Sequence, residues 1–295
     1  MHDIEDLIVE VSGVEKEFSF IHWTDVHLSE CDRRDETLLV KMASRANCFG
    51  GDPTSVAREM VETFNALKPD LVAVTGDFLD APTQANIEIG AEILGSLDSP
   101  VCITVGNHEW GFLVEPCDRD YWLPRLQPLA KQPLDWHVQE MYGVNLLFVD
   151  DSNYQITPEQ LRKTEELLGD GRPCILFLHI PVVIDSLVPR TVQTWKKPII
   201  LGAEGISPDK RTQWRMGDEV EPSTATFCSL VKSHQQMKAI FAGHLHFNHD
   251  DEYRQGCSQY VTSGGFEKGY RKVRIVPVIE GEEGKLSAPK TRQAQ

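Results

Sequence analysis

The sequence has no excess of basic residues and no paired cysteine motif. Its 295 residues include 29 Lys and Arg against 45 Asp and Glu, which gives a formal net charge of −16. Such a balance repels polyphosphate backbones and lacks the basic surface of a duplex-binding protein. We therefore expect no long duplex nucleic acid among its partners. The seven cysteines are scattered and contain no CxxC pair, which favours reduced thiols over a disulfide scaffold or a zinc knuckle.

Long apolar runs are also absent. The first residues, "MHDIEDLIVEVSGVEKEF", are acidic and do not place a basic region before an apolar stretch, so they do not resemble a secretory signal. No segment has enough consecutive apolar residues to span a bilayer. These features favour a soluble cytoplasmic protein, and the sequence leaves its oligomeric state open.

Short runs rich in Val, Ile, Leu and Phe are what the sequence does contain. We interpret six of them as buried strands: 18–23, 71–75, 101–105, 144–149, 174–178 and 238–242. Segments with apolar residues three or four apart, at 53–68, 83–97 and 157–171, predict helices between some of these strands. The last of them begins with Thr157 as N-cap and Gln160 three positions later. Strands that alternate with helices predict an α/β fold.

The later part of the chain has a different pattern. "QYVTSGG" (259–265) and "RKVRIVPV" (271–278) are strand-like with no helix between them, which predicts an antiparallel portion of sheet. We expect one domain over residues 1–280 and a polar, flexible tail over 281–295. The irregular, proline-containing segment 182–221 is typical of a lid or specificity insertion. It carries basic and aromatic groups that are candidates for substrate binding: Arg190, Trp195, Lys196 and Arg211.

Polar side chains follow five of the predicted strands directly. The motifs are "TDVH" (24–27), "GDFLD" (76–80), "GNHE" (106–109), "HIP" (179–181) and "GHLH" (243–246). Ligands of α/β sheets collect beyond the carboxyl ends of strands, so we expect these five segments to converge. Each motif alone is a weak signal, but five in one order are not. The residues brought together would be Asp25, His27, Asp77, Asp80, Asn107, His108, His179, His244 and His246.

This set offers oxygen and imidazole ligands without a thiolate, which suits Mn, Fe, Zn or a similar divalent ion. In an extended segment, residues two apart face the same side, so Asp25 with His27, and His244 with His246, are expected to point to one place. A glycine precedes several of the candidates and either permits a sharp turn or leaves room for a cofactor.

The five motifs together resemble the signature of the calcineurin-like metallophosphoesterase superfamily, and within it the cyclic-nucleotide phosphodiesterase-like branch. The resemblance runs from about residue 19 to residue 247. It implies a four-layer α/β/β/α sandwich, with two central mixed β-sheets and a dinuclear metal site at the strand carboxyl ends.

The resemblance also implies roles for single residues. One ion would be held by Asp25, His27 and His246, the other by Asn107, His179 and His244, with Asp77 bridging the two. His108 would act on the substrate phosphate or its leaving group, while Asp80 and Glu109 would support the ligands. Two divalent ions ~3.5–4 Å apart would activate a bridging water as hydroxide. Since only two of the ligands are carboxylates, the site would stay cationic in this acidic protein.

Departures from related patterns narrow the prediction. The arginines that clamp phosphate in phosphoprotein phosphatases are missing from "GDFLDAP" and "VGNHE", and Asp80 stands where purple acid phosphatases have a tyrosine iron ligand. We expect hydrolysis of a phosphoester, favouring a phosphodiester of a small or nucleotide-like substrate. The alternatives are a phosphomonoesterase or pyrophosphatase of the same fold and, further off, a non-catalytic metal-binding scaffold.

Overall fold

The computed structural model describes residues 6–111 and 113–278. The tail predicted over residues 281–295 lies outside the described residues. Within the described part of the chain, no helix is both long enough and apolar enough to cross a membrane. All seven cysteines are free thiols, in agreement with their scattered positions.

Eleven strands form two sheets over the described ranges. Their bounds are β1 Leu7–Val11, β2 Phe18–Trp23, β3 Leu71–Thr75, β4 Val101–Thr104, β5 Trp136–Met141, β6 Val144–Val149, β7 Cys174–Phe177, β8 Met237–Ala242, β9 His249–Arg254, β10 Cys257–Val261 and β11 Arg271–Pro277. The five-stranded sheet has the order β1-β11-β2-β3-β4, and the six-stranded sheet has the order β5-β6-β7-β8-β10-β9. Both are mixed, since β11 runs antiparallel to β2, and β5 and β9 run antiparallel to their neighbours.

Helices cover the outer faces of the two sheets. Their bounds are α1 Leu39–Cys48, α2 Pro53–Leu67, α3 Gln84–Gly95, α4 His108–Gly111, α5 Arg119–Leu126, α6 Pro158–Leu168, α7 Leu187–Trp195, α8 Pro208–Trp214 and α9 Pro222–Ser233. The apolar faces of α2 and α3 pack against β2 and β3, while α6 and α9 pack against the six-stranded sheet. The predicted capping box of α6 is confirmed, because Thr157 and Gln160 each accept the other's backbone N–H.

A third apolar core lies between the two sheets. Phe20 of β2 meets Phe177 of β7 and Phe241 of β8 edge to face, with ring centroids 5.3 and 5.1 Å apart. His22 adds a polar link, since its ring nitrogens hydrogen-bond Thr75 at 2.8 Å and Thr262 at 2.6 Å. With helices outside both sheets, the molecule has the four-layer α/β/β/α architecture that the resemblance implied.

The carboxyl-terminal strands depart from the prediction. β10 pairs with β8 and β9 in the six-stranded sheet, whereas β11 pairs with β1 and β2 in the five-stranded sheet. The two strands therefore do not pair with each other. Each nevertheless runs antiparallel to a neighbour, β10 to β9 and β11 to β2, so the expected antiparallel portion is present but is divided between the two sheets. The residues between them instead carry the chain from one sheet to the other, past the carboxyl ends of the central strands.

Candidate metal centre

The five predicted motifs meet at the carboxyl ends of strands from both sheets. In the five-stranded sheet, β2, β3 and β4 are parallel, with Trp23 opposite Val74 and Thr75 opposite Thr104, so their ends lie nearly level. In the six-stranded sheet, β7 and β8 end together, with Phe177 opposite Phe241. The polar residues that follow these strands form one cluster across the junction of the two sheets, in which Asn107, His108 and His246 are partly exposed and the others are buried.

One group of donors comprises Asp25, His27 and His246. The Nε2 atoms of His27 and His246 lie 3.1 Å apart. Asp25 Oδ1 lies 3.2 Å from His246 Nε2 and 3.9 Å from His27 Nε2. The three donor atoms therefore all lie within 4.8 Å of one another, which is close enough for them to bind a single metal ion.

A second group comprises Asp77, His179 and His244, with Asn107 beside them. His179 Nε2 lies 3.2 Å from each of three other donors, namely Asp77 Oδ2, His244 Nδ1 and Asn107 Oδ1. Asp77 also faces the first group, since its Oδ2 is 3.9 Å from His27 Nε2. The structure thus brings together the residues of both ligand sets that the family resemblance implied, with Asp77 next to both, and their role as ligands stays a prediction.

The donor set fits cations. Asp25 and Asp77 are at most 1% exposed, and within the described residues neither forms an ion pair with a lysine or arginine. Buried carboxylates of this kind need compensating positive charge. Burial disfavours a charged ring at His179, yet the Asp77 and Asp25 carboxylates outweigh burial and raise its pKa to about 10. The cluster thus attracts positive charge, which two divalent ions would supply.

The backbone at the site differs from the expected extended conformation. Five of the seven predicted ligands have positive φ, with values of 52° at Asp25, 53° at His27, 46° at Asp77, 67° at His244 and 57° at His246. Such conformations cost non-glycine residues roughly 1–3 kcal/mol each and are concentrated at functional sites. Side chains two positions apart converge here because both residues adopt this left-handed conformation. Strand alternation is therefore the wrong explanation for the pairs 25/27 and 244/246.

Three of the histidines are oriented through their second ring nitrogen. His27 Nδ1 donates to Asp80 Oδ1 at 3.2 Å, and His179 Nδ1 donates to the Thr75 carbonyl at 2.8 Å. His244 Nε2 lies 2.8 Å from the Tyr154 hydroxyl. In each ring the remaining nitrogen faces the donor cluster, which is the usual arrangement behind a metal-binding imidazole.

Glu109 joins two of the motif loops. Its Oε2 accepts hydrogen bonds from the backbone of Asp77 at 2.9 Å and Gly106 at 2.6 Å, and its Oε1 accepts from Leu79 at 2.8 Å. Burial and the neighbouring Asp77 carboxylate raise the pKa of Glu109 to about 7. The side chain holds the "GDFLD" and "GNHE" loops together without entering the donor cluster.

His108 lies at the edge of the cluster and lines the adjoining cavity. Its Nδ1 is 2.9 Å from Asp80 Oδ1 and 3.1 Å from the Asp80 carbonyl, while its Nε2 is turned toward Asp77 Oδ2 at 3.8 Å. Burial lowers the pKa of His108, but Asp77 and Asp80 outweigh it and raise the pKa to about 9. A cation bound at Asp77 would oppose that rise.

A cavity of about 350 Å³ opens over the donor cluster. Besides donor residues and His108, its described lining includes one basic side chain, Arg45, and a largely apolar group made up of Cys48, Phe49, Trp195, Ile199 and Phe266. Of these, Trp195 and Ile199 belong to the segment predicted as a lid. Arg45, Cys48, Phe49 and Phe266 were not predicted, because no motif lies on α1 and Phe266 follows a glycine pair whose path only the fold reveals.

The three basic side chains predicted to bind substrate are not among the described residues that line this cavity. The Arg190 guanidinium lies over the Phe247 ring, 4.3 Å from its centroid. Lys196 Nζ donates to the Gln193 carbonyl at 2.8 Å. Arg211 is 5% exposed and donates to the carbonyls of Gly217 and Met216. Lys196 and Arg211 thus bond carbonyls of their own segment, whereas Arg190 contacts the chain that follows β8. A positive charge in the sequence does not indicate such partners.

The sequence is similar to a known protein family and to one of the relatives described below. A family model for calcineurin-like phosphoesterases matches residues 18–248. The chain is 25% identical over 207 residues to a protein from Enterobacter lignolyticus (strain SCF1) named glycerophosphodiester phosphodiesterase GpdQ. That alignment covers 67% of this chain and 64% of the relative. The matched region thus spans a little under two thirds of the relative's length.

Two solved structures have similar folds. A dimetal phosphatase from Danio rerio aligns with a TM-score of 0.52 at 12% identity, over 85% of this chain and 88% of the other. The purple acid phosphatase PPD1 from yellow lupin (Lupinus luteus) aligns with a TM-score of 0.50 at 14% identity, over 86% of this chain and 45% of the other. At these identities the similarity concerns the fold alone.

Proposed function

The chain belongs to the calcineurin-like phosphoesterase family, and we propose that it is a metal-dependent hydrolase of phosphodiesters with a small or nucleotide-like substrate. The observation that carries this proposal is the pair of adjacent donor groups, one of which contains Asp77 and places it 3.9 Å from His27 of the other, with His108 beside them and a cavity above. The relative named as a glycerophosphodiester phosphodiesterase supports the choice of a diester.

We propose that Asp25, His27 and His246 hold one divalent ion, that Asn107, His179 and His244 hold the other, and that Asp77 contacts both. Bound ions of this kind supply a Lewis acid for a phosphoryl oxygen and lower the pKa of a water molecule. Nitrogen and carboxylate ligands accept Mn, Fe and Zn alike, so the donor set leaves the choice among these metals open.

His108 is proposed to act on the substrate. Its Nδ1 is fixed by Asp80, and its Nε2 is the ring nitrogen turned toward Asp77. A ring held in this way can donate a proton from Nε2 to a phosphoryl oxygen or to the departing alkoxide. No side-chain nucleophile is assigned.

The charge of the cavity favours a diester over a monoester. A phosphomonoester or a pyrophosphate carries more negative charge than a diester and is usually held by further cationic side chains. Among the described residues lining this cavity, Arg45 is the only lysine or arginine, and its guanidinium is paired with Asp80. A singly charged phosphodiester matches this surface better.

The cavity walls favour an apolar or planar substituent on the substrate. The ring centroids of Phe49 and Phe266 lie 5.0 Å apart. The Trp195 ring packs edge to face on His246, with centroids 5.5 Å apart. A planar group such as a nucleobase would fit against these rings. We propose that residues 182–221 act as the specificity segment through Trp195 and Ile199 rather than through basic groups.

Hydrolysis of bis-p-nitrophenyl phosphate by the purified protein with added Mn²⁺ tests the proposal. We expect turnover in the wild type and near-complete loss in Asp77→Asn. The matched control is Asp70→Asn, which makes the same change just before β3, where Asp70 accepts a hydrogen bond from the Ser19 backbone. We also expect kcat/KM to be higher for this diester than for p-nitrophenyl phosphate.

Two outcomes would refute the proposal in different ways. A monoester preference would favour the phosphomonoesterase alternative. A folded, metal-loaded protein that is inert on diesters, monoesters and pyrophosphate would favour a non-catalytic scaffold.

A cytoplasmic location is also part of the proposal. It is supported by the seven cysteines, which are all free thiols.

A further inference from the structure

Helix α1 contributes to the site although no motif lies on it. Most of its residues are exposed, and Met42 is its one buried residue. Arg45 and Phe49 follow Met42 at intervals of three and four, so the three side chains share one face of the helix and its C-cap. That face is turned toward the metal centre, because both Arg45 and Phe49 line the cavity.

Arg45 binds the Asp80 carboxylate through two parallel hydrogen bonds. Its Nε donates to Oδ2 at 2.8 Å and its NH2 group donates to Oδ1 at 2.7 Å. Asp80 is fully buried, and the Arg45 side chain is 26% exposed. A two-pronged pair of this geometry fixes the plane of a carboxylate as well as its position.

The same carboxylate orients two imidazoles of different function. Asp80 Oδ1 lies 3.2 Å from Nδ1 of His27 and 2.9 Å from Nδ1 of His108. His27 belongs to the first donor group, whereas His108 is the residue proposed to act on substrate. If the carboxylate turned about its Cβ–Cγ bond, both hydrogen bonds would lengthen together.

Phe49 reinforces the same arrangement. Its ring is stacked on His27 with centroids 4.0 Å apart and planes 4° apart. The Arg45 guanidinium lies 4.9 Å from the Phe49 centroid. The end of α1 thus holds His27 from two sides, through Asp80 at Nδ1 and through Phe49 on the ring face.

We infer that Arg45 is a positioning residue that fixes Asp80 and, through it, sets the His27 ring for metal binding and the His108 ring for catalysis. The part that concerns His27 depends only on the donor cluster, and the part that concerns His108 rests on the proposed function. Arg45 lies 35 positions before Asp80 in sequence and in none of the five motifs.

Metal affinity tests the His27 part without any measurement of activity. Competition with a chromophoric chelator would give the Zn²⁺ and Mn²⁺ affinities of the wild type, Arg45→Ala and Arg45→Lys. We expect one of the two bound ions to be held about 10-fold more weakly in Arg45→Ala, as is typical when the partner of a ligand is lost. The metal affinity of Arg45→Lys should lie between those of the wild type and Arg45→Ala. The lysine ammonium keeps the positive charge but cannot make the two parallel hydrogen bonds of a guanidinium.

Steady-state kinetics at saturating metal test the His108 part. In Arg45→Ala we expect kcat for bis-p-nitrophenyl phosphate to fall about 10–100-fold with KM nearly unchanged. Added guanidinium ion, at concentrations far below those that unfold the protein, should restore part of kcat in Arg45→Ala and none in Asp77→Asn. Loss of a merely structural contact would not be rescued in this way.

Arg34→Ala is the matched control. Arg34 also makes paired hydrogen bonds to carboxylates, those of Asp32 and Glu88, but it is not among the described residues that line the cavity. It should leave metal affinity and kcat unchanged. Wild-type metal affinity together with wild-type kcat in Arg45→Ala would overturn the inference, as would a rise in KM alone, which would make Arg45 a substrate contact. If the wild type is inert but Arg45→Ala still weakens metal binding, the proposed function fails while the role of Arg45 at His27 stands.

Discussion

At the scale of single residues, the tautomers of the candidate ligand histidines are set by groups of different origin: the Asp80 carboxylate within a motif for His27, the Thr75 carbonyl for His179, and a side chain outside the five motifs for His244. Tyr154 is the clearest case, since it is 2% exposed and its hydroxyl lies 2.8 Å from His244 Nε2. When His244 uses Nδ1 as a ligand, its Nε2 carries the proton and donates a hydrogen bond to the phenol oxygen. The hydroxyl therefore favours the tautomer in which Nδ1 is available to the proposed ion.

Tyr154→Phe removes this acceptor and keeps the ring. We expect one of the two ions to be bound about tenfold more weakly, because a buried N–H would lose its partner. Chelator competition measures the change. Tyr253→Phe is the control, since the Tyr253 hydroxyl is buried without a hydrogen-bond partner in the described structure. Equal metal affinity in Tyr154→Phe and the wild type would show that His244 does not depend on the phenol.

The sequence predicts the donor residues better than the residues that orient them. Asp25, Asp77 and His179 each follow an apolar run, so a strand and its polar end can be recognised together. Tyr154 and Arg45 act across 90 and 35 positions of sequence, and neither follows a pattern that names its partner. Only the packing of the two sheets and of α1 brings such pairs into contact.

At the scale of secondary-structure elements, the glycines before the ligands allow strand ends to approach closely. A Cβ on Gly243 would overlap the hydroxyl of Thr24 and the carboxylate of Asp25. The Thr24 hydroxyl donates to Asp25 Oδ2 at 2.8 Å, and the Asp25 carboxylate accepts the backbone N–H of His244. The space beside Gly243 is thus filled by the neighbouring strand end rather than left open for a cofactor.

Gly243→Ala should displace Asp25. We expect a loss of roughly 1–3 kcal/mol in unfolding free energy, as for an overpacked core, together with weaker binding of one ion. Thermal unfolding and chelator competition give the two quantities. Gly95→Ala is the control, because nothing lies within 4 Å of a Cβ at that helical position and alanine should stabilise the helix by up to ~1 kcal/mol. A stable Gly243→Ala with normal metal binding would contradict the close approach.

The segment 182–221 yields a second prediction at this scale. Trp195, at the end of α7, lines the cavity and donates its indole N–H to the Leu245 carbonyl at 3.1 Å. Trp195→Ala should raise KM for bis-p-nitrophenyl phosphate by up to about tenfold through loss of an aromatic contact, with metal affinity unchanged. Lys196→Ala, the neighbouring change, should leave KM as it is. A larger effect at Lys196 would favour the basic residues of this segment as substrate contacts.

The position of a strand in its sheet explains which strands escape prediction. β1, β5 and β9 are additional to the predicted strands, and all three lie at sheet edges. An edge strand is half exposed and carries polar residues, as in "HDDEYR" of β9, so no apolar run marks it. The central strands are buried on both faces and their runs are continuous, which is why their bounds are predicted almost to the residue.

At the scale of the whole molecule, the two sheets share one core, and their relative placement determines the metal centre. His22 and the Phe20, Phe177 and Phe241 cluster join the sheets directly beneath the site. Local patterns in sequence predict strands but not the partner sheet of each strand. β10 and β11 are an example, because they are adjacent in sequence and yet belong to different sheets.

The stability of the molecule should depend on His137 between pH 6.5 and 4. This residue of β5 is 6% exposed, stacks on Phe148 at 4.7 Å and donates from Nδ1 to the Pro133 carbonyl at 2.8 Å. Its Nε2 is buried with no partner in the described structure, so a proton there would have no acceptor. Burial accordingly lowers the pKa of His137 to about 4, below the value of 6.5 for a free histidine.

Between these two pH values the unfolded chain binds the His137 proton and the folded protein does not. The contribution of His137 to stability is therefore complete above pH 6.5 and is lost as the pH falls toward 4, by up to ~3 kcal/mol. His137→Asn keeps a donor near the Pro133 carbonyl and cannot titrate. Urea unfolding at several pH values should show a shallower loss of stability in His137→Asn than in the wild type, while acid release of metal and the net charge of −16 affect both proteins alike. Parallel curves for the two proteins would mean that His137 takes up its proton equally well in the folded and unfolded states.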